Sequence, residues 1–350
     1  MKTSNYKKQI ESIVNSIEIT SLSNFKVKGK EEFISYQMPY TTFSGDLKSF
    51  GNNKVIDDNQ RKMNLVQSLT NSIYAKFYCG ISDEKSSNKL PSKVEREVFM
   101  DELSEANKTA DGLDYNWMIY TIDATGNAFV KKNDELRWLQ PNGYQFNDPN
   151  QKQAQINTKV NLVTTRENKS IQPVFYHVFS KEIFPQEVEL SRFYWNVRPD
   201  GAAKLIELIT STLNDYKIPF QFKCLNHPEL YVRTDSAVLY LDKKHVHIVS
   251  IILKSIISEI KPYLVDSIPM FTQELYKGLG YAEDPGKGMS FGMSRSSAIA
   301  EALVDSFLKD EKETIKTQFV INYLESKGMS IDRLHLNKHT LLTPNFPNYA

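Results

Sequence analysis

Cysteine, histidine and long apolar runs are all scarce in this chain. Its 350 residues include two cysteines, Cys79 and Cys224, and six histidines. Two cysteines provide no disulfide framework, which fits a reducing compartment, and the histidines show no metal-ligand spacing. The longest apolar run, His247–Ile257, contains Lys254 and is too short to span a bilayer. We therefore expect a cytoplasmic protein without a metal ion, another cofactor or a membrane partner.

An excess of charge is also lacking, because 43 basic and 42 acidic residues leave a net charge of +1 at pH 7. A broad nucleic-acid footprint needs a basic surface, so we expect no nucleic-acid partner, although a local anion site remains open. The length suffices for one large or two ordinary domains. The polar stretch Pro141–Gln155 divides the chain into a mixed N-terminal subdomain at 1–150 and an α+β domain at 156–350.

Strands and helices follow one another in the second half. The segments RFYWNV, PFQFKCL, SAVLYL and IPMFTQEL are strand-like. Helices are predicted over Gly201–Tyr216, capped by Asp200, and over His245–Lys261. The resulting β-α-β-β-α-β order is the split pattern of two helices packed on one face of an antiparallel sheet, so the predicted fold class is α+β.

Glycine is concentrated in one stretch, since five of the fourteen glycines fall between positions 276 and 307. Their spacing fits neither the phosphate loop of nucleotide-binding proteins nor the dinucleotide fingerprint. The apolar stripe that follows predicts a helix over 298–309, with Ser294 as one possible N-cap. Free N–H groups at that helix start, together with Arg295, would suit a phosphate. The alternative is that the serines only cap and the glycines only make turns.

Lys223 stands in the middle of the predicted strand PFQFKCL, on the face opposite Phe222. A lysine at such a position is either a solvated residue or part of an anion site. The second interpretation requires other polar side chains to converge on it, and arginines would bind phosphate in a bidentate manner. The residues available for this are Arg192, Tyr194, Tyr231, Arg233 and Asp235.

Cys224 offers a further possibility, because a thiol paired with His227 or His245 could act as a nucleophile with its base. The alternative is that Cys224 is buried packing, since it shares its strand face with Phe220 and Phe222. We prefer the packing interpretation.

Several linked blocks carry a family resemblance. The segments FYWN, FKCL, YVRTDSAVLY, GYAEDP and SFGMSR, in this order, resemble the HopA-type family. This family comprises a type III effector domain of plant-pathogenic pseudomonads and related stand-alone proteins encoded beside peptide-modifying kinases. The similarity covers about Ile171 to Phe307, and a weaker similarity is found in the N-terminal segments LTNSIYAKFYCG and VFMDELSEANK.

For the stand-alone branch, the resemblance implies a lyase of class V lanthipeptide biosynthesis. A separate kinase phosphorylates Ser or Thr of a ribosomal precursor peptide, and the lyase eliminates phosphate to give dehydroalanine or dehydrobutyrine. Such a site needs a base, a phosphate ligand set and a proton donor. From the blocks FKCL, YVRTD and SFGMSR, the resemblance implies Lys223, Arg233 and Arg295 as base and phosphate candidates, with Tyr194 and Tyr231 for proton transfer. Chemical demand selects Lys223 as the base, because the charges of Arg233 and Arg295 would lower its pKa. On the same ground Arg192 and Ser294 are further phosphate candidates, and Asp235, Glu283 and Asp284 are candidates for orienting the cations.

The rival hypothesis is a non-enzymatic module. In this interpretation the chain is an effector delivered into a host cell, or a domain that binds a phosphopeptide or another protein without chemistry. Its N-terminus, rich in Ser, Asn and Lys, resembles a secretion signal.

Overall fold

The computed structural model describes residues 5–32, 34, 57–82, 91–286, 288–341 and 343–349. Within these ranges the strand pairs are antiparallel and seven α-helices accompany them. None of the described helices is both long and apolar enough to cross a bilayer. The helices are α1 (Asn5–Ser16), α2 (Asp58–Ile73), α3 (Lys93–Ala106), α4 (Pro199–Asp215), α5 (Val246–Ile260), α6 (Phe291–Leu308) and α7 (Glu313–Ser326).

Two smaller sheets precede the central one along the chain. A three-stranded sheet consists of β1 (Ile17–Ser21), β2 (Asn24–Val27) and β3 (Lys30–Glu32). A five-stranded sheet consists of β4 (Gly112–Ile122), β5 (Ala128–Lys132), β6 (Glu135–Leu139), β7 (Tyr144–Phe146) and β8 (Lys159–Thr164). Its strand order is β6–β5–β4–β8–β7, and one of its faces buries a cluster around Trp117, Ile119 and Val130.

The central sheet has seven strands. They are β9 (Glu167–Gln172), β10 (Phe175–Phe179), β11 (Leu190–Trp195), β12 (Phe220–Leu225), β13 (Ala237–Asp242), β14 (Gln273–Tyr276) and β15 (Leu279–Glu283). Their order is β14–β15–β11–β13–β12–β10–β9, so β15, β11, β13 and β12 lie side by side. Helix α4 lies between β11 and β12 and α5 follows β13, as in the predicted split β-α-β-β-α-β pattern. The fourth strand of this pattern is β15, however, and not the predicted segment IPMFTQEL, whose last residues lie in the edge strand β14. The α+β fold class is confirmed.

Helices α4 and α5 cover one face of this sheet. Their apolar stripes, with Leu205, Ile209 and Leu253 fully buried, pack against Phe193, Trp195 and other inward residues of the strands. Phe220, Phe222 and Cys224 of β12 belong to the same buried cluster, so Cys224 is packing, as the strand periodicity predicted. The alternation of β12 therefore sends Gln221 and Lys223 to the other face.

On the other face, α2 and α6 pack against the strands at one end of the sheet. A second buried cluster contains α2 and α6 residues together with Tyr194 of β11, Val238 of β13 and Ala282 of β15. After α2 the chain makes a π-helical turn at Tyr74–Tyr78, and the Tyr78 ring meets Tyr194 edge-on at 6.4 Å between centroids. The division at 1–150 and 156–350 stays a prediction, and the packing adds that N-terminal helices share a core with the central sheet.

Three further local predictions were wrong. The α4 helix starts at Pro199 with Arg198 as its N-cap residue, and Asp200 pairs with the Arg198 guanidinium instead of capping. The glycine-rich stretch contains strand β15, which completes the sheet beside β11. The α6 helix begins seven residues earlier than predicted, because the Ser290 hydroxyl accepts a hydrogen bond from the Met293 amide. Lys287 of the same stretch lies outside the described residues.

The close packing of α6 on the π-helical turn yields a stability prediction. An alanine Cβ at Gly292 would lie 2.5 to 2.7 Å from carbons of the Tyr78 ring, which is itself fully enclosed. Gly292→Ala should therefore reduce the free energy of unfolding by about 1–3 kcal/mol, as overpacking of a dense core usually does. Urea unfolding followed by circular dichroism measures this change.

The matched control is Gly143→Ala, whose added Cβ would meet Leu139 at an ordinary 3.5 Å. This control should leave the urea midpoint nearly unchanged. If both variants unfold at the same midpoint as the original chain, the described contact between α6 and Tyr78 is wrong.

Candidate functional site

A polar group occupies the sheet face opposite α4 and α5. Strand register places Tyr194 beside Val238, Val238 beside Lys223, and Lys223 beside His177. The next row along the strands holds Arg192 opposite Tyr240. Because side chains of paired residues point to the same face, these positions form one continuous surface.

Lys223 sits at the centre of this group in a largely dehydrated position. Its Nζ donates a 3.0 Å hydrogen bond to Gln172 Oε1 of β9. The same atom lies 4.1 Å from the Phe175 ring centroid and 5.8 Å from that of Tyr240. The Lys223 pKa is lowered to about 8, chiefly by burial and also by the positive charges of Arg192 and Arg233, against an opposing effect of Asp235. A substantial fraction of the amine is therefore neutral near physiological pH.

Arg233 and Asp235 form a buried ion pair beside Lys223. Arg233 Nε donates to Asp235 Oδ1 at 2.5 Å, and Nη2 donates to Oδ2 at 2.8 Å. Asp235 is 5% exposed, and although burial opposes ionisation, the Arg233 charge holds the carboxyl pKa below its ordinary value. A bidentate pair of this kind keeps the guanidinium plane in a fixed orientation.

The N-terminal part of the chain contributes to the same place. Arg233 Nη2 also donates to Tyr74 Oη at 2.9 Å and to Cys79 Sγ at 3.2 Å. The Thr234 amide donates to the Cys79 carbonyl at 2.9 Å. The π-helical turn is what brings Tyr74 and Cys79 to Arg233, and such turns often occur at functional sites. The sequence prediction missed this contribution, because nothing in the local pattern of Tyr74–Tyr78 distinguishes a π-helical turn from an α-helix.

Arg192 is held in a similar way at the other end of the group. Its Nε and Nη2 both donate to Asp284 Oδ2, the former at 2.8 Å, and its guanidinium lies 5.0 Å from the Tyr240 ring centroid. Asp284 is itself anchored, because its Oδ1 accepts a hydrogen bond from the Gly286 amide at 2.7 Å. The predicted orienting role of Asp284 thus has a defined geometry with Arg192 as its partner.

Tyr194 and His177 lie on either side of Lys223 in the same row of the sheet, and each has a buried polar atom without a hydrogen-bond partner among the described residues. The Tyr194 hydroxyl is buried beside Tyr78 and Arg192 without a hydrogen bond of good geometry, and burial raises its pKa. The His177 Nε2 is also buried without a partner among the described residues. Burial, with a smaller effect of the Lys223 charge, lowers the His177 pKa to about 4, so this imidazole is neutral. Sequence reasoning missed His177, although its place in the alternating segment FYHVF could have indicated it.

Four predicted site residues lie elsewhere. Arg295 is 3% exposed in the second turn of α6, where it donates to the carbonyls of Leu334 and Leu336 at 3.0 and 3.2 Å. Burial lowers its pKa to about 10. Ser294 is no cap and only accepts a 3.4 Å hydrogen bond from Arg295 Nη1. The helix-end anion site predicted from these residues is therefore not formed, because α6 already begins at Phe291.

Tyr231 and Glu283 also serve the fold. The Tyr231 hydroxyl donates to the Leu225 carbonyl at 2.8 Å, and its ring packs with the cluster beneath α4 and α5, on the face away from Lys223. Glu283 is fully buried, where its carboxylate lies 2.9 Å from Lys243 Nζ and accepts hydrogen bonds from the Asn337 amide and the Thr340 hydroxyl. It anchors the C-terminal segment to the end of β15.

The described residues contain no group of three or more His, Cys, Asp or Glu side chains arranged to hold a metal ion. The polar group itself presents amine, guanidinium, phenol and imidazole side chains. An amine of lowered pKa between two oriented guanidinium groups can bind an anion and exchange a proton with it.

Family comparison supports the resemblance found in the sequence. Residues 166–336, which contain β9 to β15 with Lys223, Arg192 and Arg233, match the HopA1 effector protein family. This segment, 171 of the 350 residues, is similar to that family. The HopA-type resemblance is thereby confirmed, and the polar group belongs to this effector-like domain except for Tyr74, Tyr78 and Cys79.

Two solved structures are similar to this chain, and both are effector proteins of Pseudomonas syringae. The one from pv. tomato strain DC3000 has a TM-score of 0.44 and 17% identity, over 79% of this chain and 90% of that one. The one from pv. syringae strain 61 has a TM-score of 0.42 and 16% identity, over 79% of this chain and 97% of that one. No curated protein matches this chain.

The Arg233–Asp235 pair yields a second stability prediction. Asp235→Ala would leave Arg233 buried without its counter-charge, so the free energy of unfolding should fall by about 3–5 kcal/mol. Chemical denaturation measures this loss. The matched control is Asp200→Ala, which removes the exposed partner of Arg198 at the same two-residue spacing. That exposed pair is screened by water, so its removal should shift the midpoint little. Equal losses in the two variants would contradict the buried pair.

Proposed function

We propose that the domain is a lyase that eliminates phosphate from phosphoserine or phosphothreonine of a ribosomal precursor peptide. The observation that carries this proposal is Lys223, an amine with a pKa of about 8 that lies between two oriented arginines. The HopA-type resemblance supports the same reaction through the stand-alone branch of the family. The product would be dehydroalanine or dehydrobutyrine, as in lanthipeptide maturation.

Lys223 is the proposed base. The reaction removes the Cα proton, forms the Cα–Cβ double bond and breaks the Cβ–O bond, whose electron pair leaves with the phosphate. A lysine of ordinary pKa is almost wholly protonated at neutral pH and cannot accept that proton. Dehydration and two neighbouring guanidinium groups make the neutral amine accessible here. The proton taken from Cα then resides on the Lys223 amine.

Arg192 and Arg233 are the proposed phosphate ligands. Each uses Nε and Nη2 to bind a carboxylate, and the Nη1 of each makes no hydrogen bond to the described residues. While Lys223 is protonated, the three cations outnumber Asp235 and Asp284 by one, and once the amine is neutral the two guanidinium groups balance the two carboxylates. Because the carboxylates fix both guanidinium planes in advance, little side-chain entropy is lost when phosphate binds.

Tyr194 is the proposed proton donor to the departing oxygen. Its phenol stays protonated at neutral pH because burial raises its pKa, and its hydroxyl has no hydrogen bond of good geometry to give up. The phosphorylated peptide itself requires a separate kinase, and no cofactor enters the reaction. The second candidate function is phosphopeptide binding without chemistry, which the same oriented arginines favour.

The test uses a phosphopeptide, or the precursor peptide with its kinase, and mass spectrometry of the product. Elimination removes the elements of phosphoric acid, whereas phosphatase activity leaves the hydroxyl in place. Lys223→Ala should reduce the rate by about 10²-fold or more, the usual contribution of a general base. Lys223→Arg should be equally inactive while it keeps the positive charge and phosphopeptide affinity, because arginine does not deprotonate.

The control variant is Lys204→Ala, which alters a half-buried lysine on α4 at the opposite face. It should retain full activity. If the original chain binds phosphopeptide but never eliminates phosphate with kinase and precursor present, the lyase proposal fails and the binding module takes its place.

The Lys223 pKa also predicts the pH dependence of the reaction. The base must be neutral, so kcat/KM should rise as pH increases through about 8 and then level off. The second ionisation of a phosphomonoester, near pH 6, is complete below this window and does not account for the rise. A rate that is constant between about pH 7 and pH 9 would show that Lys223 is not the base.

A further inference from the structure

The five-stranded sheet has one face that none of the described residues covers. Its inner face buries Trp117, Ile119 and Val130, whereas its outer face carries a row across four strands. Register pairs Leu136 with Lys131, Lys131 with Met118, and Met118 with Lys159. The row therefore alternates apolar and cationic side chains from β6 to β8.

The apolar members of this outer face are unusually open to solvent. Leu136 is 50% exposed, Met118 41% and Trp138 49%, and Trp138 pairs with Phe129 in the adjacent row. An antiparallel sheet with one solvated face normally carries polar side chains on that face. A contiguous exposed patch of large apolar side chains on a folded chain indicates a binding surface.

Charge on the same face is unbalanced. Lys131 and Lys159 are exposed and form no ion pair with the described residues, whereas Lys132 is paired with Asp114 at 2.9 Å. A depression of about 620 Å³ opens here, and its lining includes these three lysines and no carboxylate. The surface is thus complementary to a ligand that carries negative charge and apolar groups together.

We propose that this face docks an acidic segment of the peptide substrate, outside the phosphorylated residue, in which acidic and apolar side chains alternate. This proposal rests on the proposed function for the choice of a peptide substrate as occupant. An extended peptide sends successive side chains to opposite sides, so only every second residue faces the sheet, and these residues are the ones that alternate between acidic and apolar. The face is also connected to the site, because β8 is followed after only two residues by β9, whose Gln172 binds Lys223.

The experiment measures binding of unphosphorylated, fluorescently labelled peptides to the full chain by anisotropy. In the probe, every second residue is alternately Glu and Leu or Phe, with Ser at the positions between, and its matched counterpart has Gln in place of Glu. The acidic probe should bind more tightly, and its affinity should fall as salt is raised. Because neither probe carries phosphate, the assay is independent of elimination, and Lys223→Arg should bind the acidic probe as the original chain does.

The decisive variant is Lys131→Glu/Lys159→Glu, which should weaken binding of the acidic probe by about tenfold or more through like-charge repulsion. The matched control is Lys8→Glu/Lys254→Glu, which changes the net charge equally at exposed lysines elsewhere and should preserve binding. Trp138→Ser should weaken binding of the acidic probe at low and at high salt, because it removes an apolar contact that salt does not screen.

Three results would each overturn the docking proposal: equal binding of the acidic and Gln probes, equal weakening by both double variants, or binding of phosphatidylserine vesicles without binding of the acidic peptide. The last result would identify the face as a membrane contact. If the acidic probe binds as expected and elimination is absent, the docking surface stands and only the lyase proposal is lost.

Discussion

The buried ion pair of Arg233 with Asp235 joins the parts of this structure that matter most for function. It lies in the loop between β12 and β13, and its guanidinium also bonds Tyr74 and Cys79 from the end of α2. Two charged groups removed from water contribute little net stability, but the loss of either partner is costly. The pair therefore acts mainly as a constraint, which holds the N-terminal helices and the sheet in one arrangement and fixes a cation beside Lys223.

The ion pair also influences the Lys223 pKa, on which several effects act in opposite directions. Burial has the largest effect and favours the neutral amine, and the positive charges of Arg192 and Arg233 act in the same direction. Asp235 acts in the opposite direction, so the carboxylate that orients Arg233 also keeps the lysine pKa from falling further. In the proposed reaction, a pKa near 8 suits an amine that is charged when it attracts the phosphate and neutral when it accepts a proton. A site with arginines and no carboxylate would bind an anion more strongly but would position its guanidinium groups less well.

Sequence patterns predicted the parts of this fold that depend on local periodicity. The alternation in PFQFKCL correctly assigned Cys224 to the core and Lys223 to the opposite face, and the order of strands and helices predicted the split sheet. The prediction failed where a tertiary partner decides the outcome. Arg295 has the local setting of an anion ligand, yet the carbonyls of Leu334 and Leu336, about forty residues away, satisfy it. No local pattern could indicate that partner, nor the contact of Tyr74 with Arg233.

The net charge of the chain is only +1, yet positive charge is concentrated at two surfaces. The two surfaces differ in how their cations are hydrated and oriented. At the polar group the guanidinium groups are largely dehydrated and clamped by carboxylates, so their interactions are short-ranged, directional and only weakly screened by salt. On the outer face of the five-stranded sheet the lysines are exposed and unpaired, so they attract acidic chains over a longer range but without fixed geometry. The first arrangement offers guanidinium groups of fixed orientation to a single anion, whereas the second offers positive charge without fixed geometry. Under our two proposals, these surfaces, which β8 and β9 connect, divide the recognition of one peptide substrate into capture at the outer face and binding of the phosphate at the polar group.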